Sequence, residues 1–318
     1  MKAVVYQRYG APDVLQIKEL DKPVPQENEI LVRVLATTVT SGDWRMRKAV
    51  PFAVRLFSGL LRPKRPILGS VLAGEVETVG KQVKQFSGGE EIFASTGTSL
   101  GAHAEYVCLP EGGKVAGKPA NLTLEEAAAL PFGALTALFF LKDKAQIRSG
   151  QRVLIYGASG AVGTAAVQLA RYFGTQVTAV SGPRNLETVI SLGAEQVIDY
   201  TKEDFAERGE LYDVIFDAVG KTSASHSRKA LAPQGQFVTV ASGVANGDKQ
   251  DLLFLKELAE TNQLRPVIDR VFTFEQIAEA HRYVEAGHKI GSVVVSLAPR
   301  GTTGIQENLQ AVTRGERV

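Results

Sequence analysis

Apolar and β-branched residues gather in short runs over the first 120 positions, at 2–6, 14–20, 30–37, 71–79, 91–94 and 104–109. Gly, Pro or polar breaks separate them, a texture that predicts β-strands, with local helix only in the 42–62 stretch. The texture changes at Thr123. Thr123-Leu-Glu-Glu126 has the capping-box form, Thr at the N-cap with Glu three residues on, and it opens an Ala/Leu-rich helical stretch. From Arg152 the two patterns alternate: strands at 152–156, 176–180, 196–198, 213–217 and 236–240, helices at 161–173, 185–192, 203–208 and 223–231. Five buried-type runs separated by helical patterns predict an α/β fold with a doubly wound parallel sheet of five strands. A helix at 251–262 follows, then an extended run at 267–271, a second capping box Thr273-Phe-Glu-Gln276 with a helix to Ala286, and a strand at 291–297. The tail from Ala298 is polar and Gly-containing and is expected to be weakly ordered.

At 318 residues the chain fits two domains of about 100–200 residues each. Lys and Arg (36) against Asp and Glu (34) leave a net charge of +2, so there is no global case for nucleic acid or an anionic membrane as partner. One cysteine, Cys108, excludes an intrachain disulfide and any zinc site that needs two thiolates from one chain. The start, MKAVVYQRYG, lacks the long apolar run of a signal peptide. The longest apolar stretch, 127–141, is interrupted by Pro131 and Gly133; it falls short of the ~20 residues that span a bilayer and reads as a buried core segment. A second stretch, 49–61, contains Arg55 and is flanked by Lys48, Arg62, Lys64 and Arg65. A basic amphipathic helix on a membrane surface is one reading of it; a loop or short helix packed over a site is the favoured one. A cytoplasmic protein without a membrane partner is expected.

Tyr156-Gly-Ala-Ser-Gly-Ala-Val-Gly163 lies between a predicted strand and a predicted helix, the context that gives a glycine-rich loop meaning. Gly160 lets backbone approach a pyrophosphate, Gly163 allows close helix–strand packing, and the helix N-terminus supplies free N–H groups and partial positive charge. Ala158 stands at the first glycine position of the strict pattern. Ala158, Ser159, Gly160, Ala161, Val162 and Gly163 are the expected cofactor contacts. An NAD site wants Asp or Glu at the end of the second strand to bond the ribose 2′-OH. Here that strand runs into Ser181-Gly-Pro-Arg-Asn185, with no carboxylate to repel a 2′-phosphate; Ser181 can donate to one and Arg184 can offer a planar fork. NADP(H) is the expected cofactor.

These residues resemble the medium-chain dehydrogenase/reductase superfamily, and within it the zinc-free quinone oxidoreductase branch. The matching segments are ATTVTSGDWRMR (36–47), ILGSVLAGEVETVG (67–80), GAHAEYVCLP (101–110), AAALPFGALTAL (127–138), VLIYGASGAVGTAAVQLA (153–170), SLGAEQVIDY (191–200) and DVIFDAVG (213–220). The resemblance implies a GroES-like catalytic domain made from 1–122 and 266–297, a Rossmann NADP-binding domain at 123–265, and a site in the cleft between them. Zinc-dependent relatives carry Cys in the first active-site loop and a His-Glu pair in the second. This chain has Thr40-Ser-Gly-Asp43 and Gly69-Ser-Val-Leu72 there. It also implies that Tyr200 lies by the 2′-phosphate with Ser181 and Arg184, and that Thr136 helps seat the nicotinamide. Thr40 stands where the branch usually has Asn, and Asp43 and Trp44 match its Asp-Trp pair, with a structural role as open as a catalytic one. Cys108 reads as a buried small hydrophobe.

Without a metal, hydride addition to a quinone or conjugated enone is easier than reduction of a ketone, because the product oxygen needs only hydrogen-bond donors and a proton. Thr40 and Asp43 are the candidate catalytic residues, Thr40 as the hydroxyl that orients the substrate oxygen or the cofactor. His103 lies near the expected cleft; His226, His281 and His288 read as surface or packing residues. The rival classes are an NADPH-binding protein with little turnover, acting as a cofactor-gated scaffold, and a 2-enoyl thioester reductase. After Val240 the family usually adds a helix and a sixth strand whose edge builds a dimer. The 241–250 stretch is too short for that. Five strands are expected, and any homodimer would use another surface.

Overall fold

The computed structural model describes residues 1–297, so the polar tail lies outside the described residues. Both ends of that span build one mixed sheet around a long central strand. β1 (Lys2–Val5) and β2 (Gln16–Glu19) form an antiparallel pair, followed by β3 (Glu29–Val39). After α1 (Ser41–Lys48) and α2 (Val54–Ser58) come β4 (Val71–Val79), β5 (Glu91–Ser95), β6 (Tyr106–Pro110) and β7 (Lys114–Gly117). The sequence pattern missed β7, a four-residue strand with Lys and Gly at its ends. One edge of β3 pairs with β4 over Ile30–Thr37. Its other edge pairs with β6 over Glu29–Arg33 and then with the C-terminal strand β14 (Ser292–Ser296) over Ala36–Val39.

α3 (Leu124–Leu138) begins at the expected capping box, with Thr123 Oγ1 accepting from Glu126 N and the Glu126 carboxylate accepting from Thr123 N. It continues through a π-helical stretch to Lys144. The resulting helix, Leu124–Lys144, is 21 residues long and apolar enough to cross a membrane, so the length argument made from the sequence does not hold. The burial argument does: 72% of its apolar window is covered by protein. It packs on β3, β4, β5 and β14 with one side and on α4 (Ala161–Tyr172) with another.

β8 (Arg152–Tyr156), α4 (Ala161–Tyr172), β9 (Gln176–Ser181), α5 (Leu186–Ser191), β10 (Gln196–Asp199), β11 (Tyr212–Asp217), α6 (Ala224–Ser227) and β12 (Leu231–Thr239) form the nucleotide-type unit. Its five strands are all parallel in the order β10-β9-β8-β11-β12. Helices cross in opposite directions from β8, which opens a crevice at the C-terminal ends of β8 and β11. Two predicted helices shrink. The 203–208 stretch is one 3-10 turn, Phe205–Glu207, closed by Gly209 at φ +72°. The 223–231 helix is α6 plus a 3-10 turn, because β12 starts at Leu231, five residues before the expected 236, and loops out Ala232–Gly235 around Pro233 and Gln234 at φ +69°. Pro233 has no N–H to give the ladder.

β12 is the sheet edge, and no sixth strand follows it among the described residues. The chain passes from Val240 to α7 (Lys249–Glu260), then β13 (Ile268–Thr273), α8 (Ile277–Ala286) and β14.

α3 and α4 approach at backbone distance. A Cβ on Gly133 would lie 2.2 Å from the Ala161 carbonyl oxygen. Helix propensity alone favours Ala over Gly by about 1 kcal/mol, whereas overpacking against fixed backbone costs about 1–3 kcal/mol. Gly133→Ala is therefore expected to lower the urea midpoint with an unchanged m-value; a raised midpoint would contradict this contact.

Candidate functional site

The crevice divides into connected cavities. One, of about 470 Å³, is lined by Thr38, Thr40, Trp44, Arg45, Phe132, Thr136, Ala161, Val162 and the 243–245 loop. Its neighbour, about 550 Å³, is lined by Ser159, Ser181, Arg184, Asn185, Tyr200 and His288. Gly160, Val219, Lys221, Gly287 and Lys289 line both, so the two meet at the glycine loop. A third cavity continues past Tyr200 toward Lys202, Asp204 and His226 and is the most distant from Thr40's end.

The start of the loop is held by backbone. Gly157 N and Ala158 N both donate to Val180 O, and Gly157 sits at φ +78°, a left-handed conformation. A Cβ on Gly163 would come 2.2 Å from Gly157 O, so Gly163 packs the helix on the loop, as expected. Ala158 is a correction: it is fully buried, lines neither cavity, and its N–H is already committed. Gly160 is the N-cap of α4 and no side chain caps the first turn, which leaves the N–H groups of Ala161, Val162 and Gly163 for an anion. Ser159 accepts from Asn185 Nδ2 at 3.1 Å and its carbonyl accepts from Gly291 N at 2.8 Å, so the C-terminal segment is tied to the loop.

At the far end Ser181 is buried, and its Oγ has no hydrogen-bond partner among the described residues. Arg184 is exposed and forms no ion pair among the described residues, and the Tyr200 ring packs against Gly182. This is a fit to a phosphorylated dinucleotide: an orphaned hydroxyl, a free guanidinium and an uncapped helix line one cavity.

Thr40 and Asp43 form a closed unit at the other end. Thr40 Oγ1 donates to Asp43 Oδ2 at 2.6 Å and accepts from Asp43 N at 3.2 Å; Thr40 N donates to the same oxygen at 2.7 Å. Asp43 Oδ1 accepts from Gly69 N at 2.9 Å. The hydroxyl proton is thus turned toward Asp43, and the pair caps α1 while binding it to the loop before β4. Thr136 lines the cavity with its hydroxyl donated to Phe132 O at 2.7 Å. α2 and the 50–61 stretch line none of the cavities, so that segment is not packed over the site.

Three residues escaped the sequence reading. Asp217, fully buried, accepts from the N–H groups of Val219, Gly220, Lys221 and Thr222 and from Thr239 Oγ1, which fixes the loop carrying Lys221 into the cleft. Lys221 and Lys289 bring two cations to the junction of the cavities. Burial pulls the Lys289 ammonium down to about 8, against an opposing pull from Asp269. No spacing marks these lysines; the Asp217 signal was its place at a strand end. His103 lines no cavity. It lies buried beneath Gly69, Nε2 3.0 Å from Thr38 O, with its ring edge-on to the buried His281, whose imidazole desolvation keeps well below its ordinary range. Cys108 is half-buried, and desolvation raises its thiol to about 11, so it stays protonated.

This cleft first defines a class: a dinucleotide-binding fold with a β domain laid against its glycine loop. Residues 26–120 match the family model described as Alcohol dehydrogenase GroES-like domain, and residues 161–286 that described as Zinc-binding dehydrogenase. The chain is 33% identical to a 2-methylene-furan-3-one reductase of Solanum lycopersicum and 32% to a chloroplastic NADPH-dependent alkenal/one oxidoreductase of Arabidopsis thaliana, each over 94% of this chain and 80% of the relative. The solved quinone oxidoreductase of Coxiella burnetii superposes with a TM-score of 0.81 at 27% identity, over 94% of this chain and 99% of that one. The chain belongs to the medium-chain dehydrogenase/reductase superfamily, in its quinone oxidoreductase-like branch.

A phosphate beside Lys289 would restore its charge. In the free protein the amine is neutral above about pH 8, so binding a dinucleotide there takes up a proton and affinity falls as pH rises through that value. Calorimetric titration of NADPH in buffers of different ionisation enthalpy is expected to show proton uptake in the window above about 8, absent in Lys289→Met. Proton uptake of the same size in Lys289→Met would remove Lys289 from the cofactor site.

Proposed function

We propose that this chain is a zinc-independent, NADPH-dependent oxidoreductase that transfers hydride to a quinone or an α,β-unsaturated carbonyl. The observation that carries it is the pairing within one crevice of the Ser181–Arg184–Tyr200 end, suited to a 2′-phosphate, with a Thr40–Phe132–Thr136 end that presents no metal-ligand set. Thr40-Ser-Gly-Asp43 and Gly69-Ser-Val-Leu72 occupy the loops where zinc enzymes hold their ligands, and no cluster of three or more His, Cys, Asp or Glu suited to a metal occurs among the described residues. The alkenal/one oxidoreductase and the quinone oxidoreductase among its relatives support the substrate class.

NADPH, when bound, supplies the hydride. The residues of this chain bind and orient. The N–H groups of Ala161, Val162 and Gly163, with Lys221 and Lys289, would hold its diphosphate; Ser181, Arg184 and Tyr200 would hold the 2′-phosphate; Thr136 and Val162 would wall the nicotinamide end. Thr40 and Asp43 act as a positioning pair, keeping the α1 wall and the Gly69 loop in register, and the proton for the product comes from solvent. Residues 1–122 and 266–297 are read as the catalytic domain and 123–265 as the nucleotide domain. A cytoplasmic location, and any homodimer being formed without a sixth-strand edge, belong to the same reading.

NADPH oxidation against a panel of quinones, enals, enones and enoyl thioesters tests it. Turnover is expected on the first three; tight NADPH binding without turnover on any would leave a cofactor-gated scaffold, and turnover on enoyl thioesters alone the thioester reductase. The coenzyme choice is tested separately. A charged hydrogen bond is worth about 1.5–3 kcal/mol, so Arg184→Ala is expected to weaken NADPH roughly 10–100-fold and NADH little. Equal losses would exclude Arg184 as the 2′-phosphate ligand.

A further inference from the structure

From Trp44 to Gly74 the chain has no acidic residue and seven basic ones. Arg47 is buried against Glu285; the other six, Arg45, Lys48, Arg55, Arg62, Lys64 and Arg65, are exposed or half-buried. The same stretch holds the most exposed run of large apolar side chains among the described residues: Phe52 at 66%, Leu56 at 69%, Phe57 at 83%, Leu60 at 58% and Leu61 at 88%. Soluble surfaces seldom group such side chains without a use.

The segment is pinned at its base. Tyr9 Oη lies 2.8 Å from Ser58 Oγ and donates to Gly59 O at 2.6 Å, and the Arg55 guanidinium stacks over the rings of Tyr9 and Phe52. Gly59 at φ +119° turns the chain so that a Cβ there would meet Arg62 O at 2.1 Å, and Leu60 and Leu61 stand out beyond the turn. An apolar tip is thereby held above a basic rim.

We propose that residues 49–65 dock this protein on the surface of an anionic lipid bilayer, with Phe57, Leu60 and Leu61 entering the headgroup boundary and Arg62, Lys64 and Arg65 meeting lipid phosphates and carboxylates. Charge complementarity selects this occupant. A second copy in a two-fold contact would set one basic rim against the other. A bilayer interface accepts apolar side chains and attracts a basic rim at once. The expectation of no membrane partner rested on a net charge of +2 and on the lack of a spanning stretch; neither describes a local patch. α1, which leads into this segment, also lines the cavity of Thr40, so docking would bring that cavity near a store of lipophilic molecules.

Flotation of the full chain with phosphatidylcholine vesicles, with and without phosphatidylserine, tests this independently of turnover. Binding is expected only to the anionic vesicles and is expected to fall in about 0.5 M salt. Each basic residue removed is worth about fivefold, so Arg62→Gln/Lys64→Gln is expected to lose roughly 25-fold. Phe57→Ser/Leu61→Ser is expected to lose at least about tenfold with NADPH binding and melting temperature unchanged. Lys81→Gln/Lys84→Gln, beyond the opposite end of β4, serves as a control and is expected to change binding less than about twofold. No flotation, equal binding to neutral vesicles, or an equal loss in the control would overturn the proposal. So would a dimer by sedimentation that Phe57→Ser/Leu61→Ser abolishes without any vesicle binding, since the patch would then be an interface between copies. Should that apolar variant misfold, the Arg62→Gln/Lys64→Gln pair decides.

Discussion

Backbone set directly on backbone around the glycine loop is the constraint on which this structure depends. Gly133 of α3 faces the Ala161 carbonyl, Gly163 of α4 faces the Gly157 carbonyl, and Gly291 beside β14 donates to Ser159 O. Three segments from distant parts of the chain meet there with no side chain between them. α3 in turn is buried on β3, β4, β5 and β14, so the contact that seats the nucleotide loop also seats the β domain. A methyl group at Gly133 would push α3 off α4, and one at Gly163 would push α4 off the glycine loop, before either touched any ligand.

The loop supplies shape, and charge comes from elsewhere. Arg184 after β9, Lys221 after β11 and Lys289 after α8 line one cavity, whose lining includes no carboxylate side chain among the described residues. Each is delivered by a separate device: the Ser181-to-Asn185 turn, the Asp217 carboxylate gathering four backbone N–H groups, and the left-handed Gly287 that ends α8. Asp217 is buried, and its hydrogen bonds hold the loop that aims Lys221. Lys289 is half-buried, and desolvation makes its charge costly in the free protein. Such a cleft favours a polyanion over its own empty state.

What could be read in the sequence was what short-range chemistry determines. The capping box at Thr123, the strand-loop-helix around Gly160 and the five parallel strands each have a local signature, and each stands in the structure. The unread parts depend on distance. The pairing of β14 on β3 joins segments some 250 residues apart, and only the family resemblance anticipated that both ends share a domain. Thr40 lies at the cleft as expected, but its proton direction depends on Asp43 and on Gly69, which no spacing reveals. Ala158 failed as a contact because the same N–H that suits a phosphate also suits the Val180 carbonyl, and the nearer acceptor took it. Lys289 is silent in the sequence, since a lysine near a helix end is ordinarily a solvated one.

The short connection after β12 has two consequences. Among the described residues no sixth strand follows it and β12 is the sheet edge, blunted by Pro233 and the looped-out Ala232–Gly235. The same connection places Val240, Gly243, Val244 and Ala245 in the wall of the cavity that holds Thr40 and Thr136. Gly243 has φ +153° and Val244 is 79% exposed, so this wall is backbone and small or β-branched apolar side chains, with Val244 the most exposed large one. A longer crossover would have anchored that wall in a sheet; here it hangs between the end of β12 and the capping box of α7 at Asp248. The opposite wall, Thr40 to Arg45, is tied at both ends by the Asp43 carboxylate and by helix α1. A substitution at 243–245 would therefore change the cavity lining without disturbing the hydrogen-bonded cap of α1.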